Sequence, residues 1–486
     1  MSTASWQPQD RRWLLLLLVL ATLTVYRAAI ACHLPLFFDE AQYWTWSRQL
    51  DWGYFSKPPM VAWIIRAFAV FGDSELTVRL GTLLLHPITA GLVYVIGRRM
   101  FGAAAALLAA LLFISLPLVG FNSLFMTTDA PLFLCWGLAV LGLWNAFERN
   151  AWRDWVLAGG AAGLGMLSKY SMATFLPSAV LALCLPAYRR HWRNPRLYLA
   201  AALALLLFAP NLWWNAHSDF VSFRHTADIS QWDRALFHPA RLAEFLGAQF
   251  LCMGPLAFAA LLAELATPST WRDPRCGFLA AMTLPFLLLI GAQALLARAN
   301  PNWAAPAYVG GALLVAARWS TRQRARSGLA ALAILTNLLF LSAFYHYREL
   351  ASLAGIELTR KTDPYARLRG WPQAGQAVAA LLARHPGARL AVRTRDEFAL
   401  LSYYTREPDR VAIWNPQHGR TNHYQLVADA AQLPGATLMF ATREPLGDAP
   451  AAAFTRWTAL GTVAVPLYRD ESLTLHLYLG HCFKGY

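Results

Sequence analysis

The stretch Trp13-Leu-Leu-Leu-Leu-Leu-Val-Leu-Ala-Thr-Leu-Thr-Val-Tyr-Arg-Ala-Ala-Ile-Ala31 has the length that crosses a bilayer as a helix, about 20 residues. Runs of similar length recur almost to Tyr345 and then stop, which predicts an all-α polytopic membrane region of about eleven spans, up to about thirteen. Just beyond the first run stand two adjacent carboxylates, Asp39 and Glu40. A carboxylate is costly inside hydrocarbon and ordinary in water. An acidic pair at that boundary points to chemistry on something dissolved in the membrane.

Composition agrees with the spans. The 486 residues are 57% hydrophobic and 14% charged, whereas soluble chains carry about 25% charged residues. The formal net charge of +15 does not indicate nucleic acid, because the basic residues fall in short clusters between apolar runs. These are Arg11-Arg12, Arg98-Arg99, Arg149 with Arg153, then Arg189, Arg190, Arg193 and Arg196, then Arg272 with Arg275, and finally Arg318, Arg322, Arg324 and Arg326. By the positive-inside rule those loops are cytoplasmic. The cysteines Cys32, Cys135, Cys184, Cys252, Cys276 and Cys482 show neither a disulfide framework nor a zinc spacing. The first run is expected to be an uncleaved helix rather than a signal peptide, since spans continue long after it.

Placing the basic clusters inside leaves residues 33–75 as a large outer loop. Within it Glu40 to Arg48 reads as a short amphipathic helix, and Met60 to Phe71, too short to span, is expected along the membrane face. Further outer loops fall at Gly120 to Asp129, around Lys169, at Asn215 to Arg241 and at Arg298 to Trp303. After Tyr345 the pattern becomes that of a water-soluble α/β domain. A helical period covers Trp371 to Arg384, and strand-like segments cover Arg389 to Arg393, Thr437 to Ala441, Gly461 to Leu467 and Leu473 to Leu479. The expected division is a membrane domain over residues 1–345, including the loop 33–75, and a periplasmic α/β domain over residues 346–486.

Three motifs follow one another in the first loop: Phe38-Asp-Glu-Ala-Gln-Tyr-Trp-Thr-Trp46, Asp51-Trp-Gly-Tyr-Phe-Ser-Lys-Pro-Pro59 and Phe71-Gly-Asp-Ser-Glu-Leu-Thr-Val-Arg79. In order and spacing they resemble the opening of the GT-C membrane glycosyltransferases. More narrowly, they resemble bacterial members related to the protein O-mannosyltransferases and the lipid A aminoarabinose transferases. The resemblance runs over roughly residues 10–345. It implies inverting transfer of a sugar from a polyprenyl (undecaprenyl) phosphate carrier to a lipid, glycan or protein acceptor. The reaction would take place at the periplasmic face of a bacterial inner membrane, with a first-loop acid as catalytic base.

Asp39 matches that acid. An acceptor hydroxyl is a weak nucleophile, and a carboxylate within hydrogen-bond reach takes its proton as the anomeric carbon is attacked. The plainer reading of Asp39 is an N-cap for a helix beginning near Ala41. Glu40 either shares the catalytic work or only favours the positive end of that helix. Asp129, in Thr127-Thr-Asp-Ala-Pro131, matches the family's second-loop acid, and its plainer reading is again an N-cap ahead of a first-turn proline.

Lys57 matches a lysine that in the aminoarabinose transferases contacts the carrier phosphate, where a cation stabilises charge growing on the leaving group. Ser56 stands where those enzymes carry a glutamate linked to a metal. The resemblance therefore carries over neither metal nor aminoarabinose, and no cofactor is expected. Arg79, inside the start of a span, calls for an acid or phosphate partner, and with Arg298 it joins Lys57 as a candidate for the carrier phosphate. Tyr43, Tyr54, Lys169 and Trp303 are the substrate-contact candidates. The plainer reading of such lysines and tryptophans is anchoring among lipid headgroups. The outer histidines His217, His225, His238 and His346 lack a short metal spacing.

The competing function is a transporter or flippase of lipid-linked sugars. Such proteins place ionisable residues near the bilayer midplane and often duplicate their halves. This chain gathers acids in its outer loops and shows no repeat.

Overall fold

The computed structural model describes residues 11–230, 237–320 and 324–486; Arg322 of the last basic cluster lies outside them. The chain divides into two compact units. One comprises Met1–Ala31, Lys57–Val61 and Arg79–Tyr345, the other Cys32–Ser56, Ala62–Val78 and His346–Tyr486.

The first unit is a bundle of helices. Among the described residues, six helices are long and apolar enough to cross a membrane: Arg11–Ala31, Glu75–Phe101, Asp129–Arg149, Pro195–His217, Pro274–Leu296 and Ser327–Tyr345. Pro239–Cys252 and Pro255–Ala266 would make a seventh, broken span, bent by 116°. The bend sits at Gly254, which takes φ +89°, and a Cβ there would run into the Asn337 side chain. Only glycine accepts that backbone at so close an approach. The other apolar helices, Ala103–Ser115, Trp152–Ser168, Tyr170–Cys184 and Ala307–Trp319, are shorter. The apolar run Ala103 to Val119 predicts one helix, yet it stops at Ser115. Leu116 precedes Pro117 and is held extended at ψ 131°, and a new helix, Pro117–Asn122, starts beyond it.

Burial separates central from peripheral helices in this unit. The apolar stretch of Asp129–Arg149 is 89% buried, against 22% for Arg11–Ala31 and 17% for Pro195–His217. Leu14, Leu15, Leu17 and Leu18 are exposed, a strip suited to acyl chains and not to water. On the central helix Trp136 meets Phe175 and Phe286 edge-on, and Phe133 meets Phe113 likewise. Small residues let its neighbours approach: a Cβ at Gly142 would lie 2.5 Å from the Ala158 nitrogen, and one at Gly159 would collide with the Ala200 carbonyl.

The second unit is built on a five-stranded sheet of β1 (Ala388–Val392), β2 (Val411–Ile413), β3 (Thr437–Thr442), β4 (Arg456–Tyr468) and β5 (Glu471–His481), in the order β2-β1-β3-β5-β4. β1 runs parallel to β2 and β3, while β5 is antiparallel to β3 and β4. The alternation in the sequence foresees four of the strands. It misses β2, which is three residues long and too short to show a period. It also misses the helix Arg395–Thr405, the kind of crossover that the parallel pairing of β1 and β2 requires. Trp414, Phe440, Phe454 and Phe483 pack together beside the sheet.

Asp363 ties several elements of this unit together, accepting from the Tyr347 hydroxyl at 2.6 Å, the Tyr468 hydroxyl at 2.8 Å, the Tyr365 N–H at 2.8 Å and the Arg369 guanidinium. Burial raises its carboxyl, but these donors outweigh burial and hold it below the usual carboxylate value. The first-loop segments belong to the same unit. Tyr403 and Arg406 both donate to the Asp73 carbonyl, at 2.7 and 2.9 Å, and the Leu36 N–H donates to the Tyr404 hydroxyl at 2.8 Å. The Thr45 and Tyr424 hydroxyls are 2.9 Å apart, and Trp44 stands edge-on to Tyr403.

His423 packs edge-on against Trp46 and Tyr54 and lines a cavity of about 490 Å³. Burial pushes it down from 6.5 to about 4. Between those values the folded chain keeps the imidazole neutral while the unfolded chain binds a proton, so stability falls as pH drops through that window. Thermal unfolding of the detergent-solubilised chain, followed by tryptophan fluorescence at about pH 7 and about pH 5, is expected to show a lower midpoint at the acidic value. His423→Gln is expected to shrink that difference.

Candidate functional site

In the helical unit, three breaks between helices bring polar side chains together around Asp129. Asp129 is the first residue of its helix, with Thr128 in the capping position and no side-chain cap. The N-cap reading of Asp129 is therefore corrected: the helix begins one residue earlier than a cap at Asp129 requires, and the carboxylate is turned to other partners. Its Oδ1 accepts from Lys169 Nζ at 2.6 Å and its Oδ2 accepts from Asn302 Nδ2 at 2.9 Å. The Asp129 side chain is 3% exposed and that of Lys169 13%. Lys169 occupies the extended residue between Trp152–Ser168 and the 3₁₀ turn Tyr170–Thr174. Asn302 sits in the 3₁₀ turn Pro301–Ala304. Beside Lys169, the Tyr170 hydroxyl, Asn211 and Asn215 form a further polar set, with Asn215 Nδ2 donating to Tyr170 at 3.3 Å.

The other candidates of this unit are more dispersed. Lys57 is half-buried just ahead of the helix Met60–Phe68. Arg79 is wholly buried and donates to the Ala31 carbonyl at 2.7 Å, with its guanidinium 5.4 Å from the centre of the Phe125 ring. It thus satisfies one of the last carbonyls of the first span, which the helix itself leaves open. Arg298 is exposed, and Trp303 is half-buried beside Asn302. A buried arginine that sequence reasoning passed over is Arg27, which donates to the Ile114 carbonyl at 2.8 Å and to Ser123 at 3.2 Å.

In the second unit, Asp39 lies on the helix Phe38–Arg48. The N-cap reading fails here too. The helix starts at Phe38, so Asp39 lies within its first turn, and Phe37 occupies the capping position. Glu40 performs the cap: its carboxylate accepts the Phe37 N–H at 3.0 Å, and the side chain is buried. The reaching-back glutamate of a capping box explains this geometry. Asp39 is about one-third exposed, and its Oδ1 lies 3.2 Å from Arg395 Nη2. Tyr43 and Tyr54 are both buried. Tyr54 stacks on Trp46 with ring centres 4.4 Å apart and donates to the Trp46 carbonyl at 3.0 Å, while Tyr43 leans on the same Trp46. Burial raises the Tyr54 hydroxyl above the ordinary tyrosine value.

Asn302 and Arg395 are the partners that sequence reasoning missed. Asn302 stood one residue from the nominated Trp303, in an Asn-Pro-Asn turn whose first-turn proline was the available signal. Arg395 carried no signal.

Removing the cation from a buried ion pair leaves an uncompensated charge and costs about 3–5 kcal/mol. Lys169→Met is therefore expected to lower the thermal midpoint of the purified chain sharply. The double variant Asp129→Asn with Lys169→Met should recover much of the loss. A wild-type midpoint for Lys169→Met would contradict this account of the pair.

Comparison with known proteins follows the same lines. Residues 56–214 match the family described as dolichyl-phosphate-mannose-protein mannosyltransferase. The lipid A galacturonosyltransferase RgtD of Rhizobium johnstonii is 37% identical over 282 residues, 57% of this chain and 59% of that protein. An undecaprenyl phosphate-alpha-4-amino-4-deoxy-L-arabinose arabinosyl transferase of Pseudomonas aeruginosa is 31% identical over 222 residues, 41% of this chain and 40% of that protein. The chain thus spans less than two thirds of the length of either relative. Among solved structures, ArnT of Cupriavidus metallidurans matches with a TM-score of 0.69 bound to undecaprenyl phosphate and 0.67 in the apo state. Identity is 17% and 16%, and the match covers 95% of this chain and 97% of that one. The chain shares that fold, and the resemblance to GT-C glycosyltransferases read from its motifs stands.

Proposed function

We propose that this chain is an inverting glycosyltransferase that moves a sugar from an undecaprenyl phosphate carrier to a lipid acceptor of the lipid A type. The observation that carries the reading is the stretch 56–214: it matches the mannosyltransferase family and holds Lys57, Arg79, Asp129 and Lys169. The name of one relative, a lipid A galacturonosyltransferase, favours lipid A over a protein or another glycan as the acceptor, and that of the other favours undecaprenyl phosphate as the carrier. In this reading the six long helices, the bent pair and the four shorter helices supply about eleven spans of a bacterial inner membrane. The loop 33–75 and residues 346–486 then face the periplasm.

The mechanism is a single displacement. Asp39 takes the proton of the acceptor hydroxyl while the acceptor oxygen bonds to the anomeric carbon from the face opposite the phosphate. The bond from that carbon to the phosphate oxygen breaks, and its electrons leave with the carrier. The resemblance to the aminoarabinose transferases offers Lys57 as the cation for the charge that grows on the departing phosphate. Asp129 has donors on both carboxylate oxygens, so its part is to hold Lys169 and Asn302 in place rather than to accept a proton. Glu40 fixes the start of the helix that carries Asp39.

A positioned general base contributes about 10²–10⁴-fold to rate. Asp39→Asn is expected to lose turnover on that scale while keeping the wild-type thermal midpoint. The assay is transfer of radiolabelled sugar from undecaprenyl phosphate to lipid A by the purified chain in proteoliposomes. Undiminished transfer by Asp39→Asn would remove Asp39 from the chemistry.

A further inference from the structure

Arg395 opens the helix Arg395–Thr405, whose start is fixed by a capping box: Thr394 accepts the Glu397 N–H and Glu397 accepts the Thr394 N–H. From that fixed point its guanidinium lies 3.2 Å from Asp39 and 4.8 Å from the centre of the Phe38 ring. Further along, Tyr403, Tyr404 and the adjacent Arg406 hold the first-loop backbone at Leu36 and Asp73. Two helices more than three hundred residues apart in the chain are thereby held in one register within the second unit.

The side chains of Arg395 and Asp39 are 34% and 37% exposed. An exposed ion pair adds about 0–1 kcal/mol, and the contacts from Tyr403, Tyr404 and Arg406 already join the two segments. The Arg395 contact therefore contributes little to the fold and bears mainly on the direction of the Asp39 carboxylate. Arginine suits that task. Its planar fork lies over an aromatic face and stays protonated, so it neither takes nor gives a proton during transfer.

We propose that Arg395 is a positioning residue for the transfer reaction, holding the Asp39 carboxylate in the orientation that receives the acceptor proton. This rests on Asp39 being the base. The step keeps the balance given above: the acceptor proton ends on Asp39, the new bond joins the acceptor oxygen to the anomeric carbon, and the carrier phosphate departs with the old bond's electrons. Arg395 is unchanged throughout. The α/β unit after Tyr345 then contributes directly to the chemistry of the first loop.

The test compares the full chain in proteoliposomes with Arg395→Ala, Arg395→Lys, Asp39→Asn and, as a control, a change at the exposed Arg360, Arg360→Ala, whose partner is Glu471. Loss of orientation costs on the order of 10–100-fold, so Arg395→Ala should lower kcat by that factor while the carrier KM stays within about twofold of wild type. Arg395→Lys should fall between the two, millimolar guanidinium should restore part of the alanine variant's turnover, and Arg360→Ala should match wild type. Guanidinium rescue and a kcat-only loss are effects that a purely structural role would not produce. Should the alanine variant not fold, the lysine variant carries the test, because its point charge cannot reproduce the fork over Phe38. Wild-type kcat in the folded Arg395 variant, with Asp39→Asn inactive, overturns this inference and leaves the proposed function standing. Wild-type kcat in Asp39→Asn overturns both.

Discussion

A carboxylate buried in an apolar bundle has to be met by donors, and that constraint organises the helical unit around Asp129. Both of its oxygens are engaged, one by Lys169 and one by Asn302. The chain breaks at residue 169, between a helix and a 3₁₀ turn, and turns again at Pro301–Ala304. These irregular segments interrupt an apolar chain where backbone groups would otherwise pair along helices. They place three side chains from distant parts of the sequence within hydrogen-bond range, and the polar set of Tyr170, Asn211 and Asn215 continues from the same break.

The second unit meets a different demand. In the proposed mechanism the first loop carries the base and has to be rigid, and a short helix such as Phe38–Arg48 is marginal by itself. Two devices compensate. Glu40 closes the start of the helix by accepting the Phe37 N–H. The helix Arg395–Thr405 then grips the loop through Tyr403, Tyr404 and Arg406 while presenting Arg395 to Asp39. Tyr54, stacked on Trp46 and bonded to its carbonyl, stiffens the turn that follows. A sequence neighbour of the acid and a helix from the far end of the chain thus serve one purpose.

The parts of this arrangement set by local patterning were legible in the sequence. Apolar runs marked the long helices, alternation marked four of five strands, and three first-loop motifs nominated Asp39, Lys57 and Arg79. What was not legible depended on contacts far apart in the chain. Asn302 and Arg395 acquire meaning only when folding brings them to Asp129 and Asp39, and β2 is too short to show a period. Both capping readings failed for one reason. Asp39 and Asp129 are good capping residues by type, but each helix begins earlier than such a cap requires, at Phe38 in one case and at Asp129 itself in the other, so each carboxylate is released to a basic partner. Arg79 illustrates the reverse case: its burial in the start of a span was foreseeable, whereas the Ala31 carbonyl as a partner was visible only in three dimensions.

The proposed reaction is a single displacement at the anomeric carbon with no covalent sugar intermediate on the chain. The most direct measurement is the anomeric configuration of the product. The purified chain in proteoliposomes would be supplied with lipid A and an undecaprenyl phosphate sugar of known configuration, and the transferred sugar read by NMR. Inversion of the anomeric centre is the predicted result. Retention, or a carrier that crosses the membrane with its sugar still attached, would rule out a single inverting displacement.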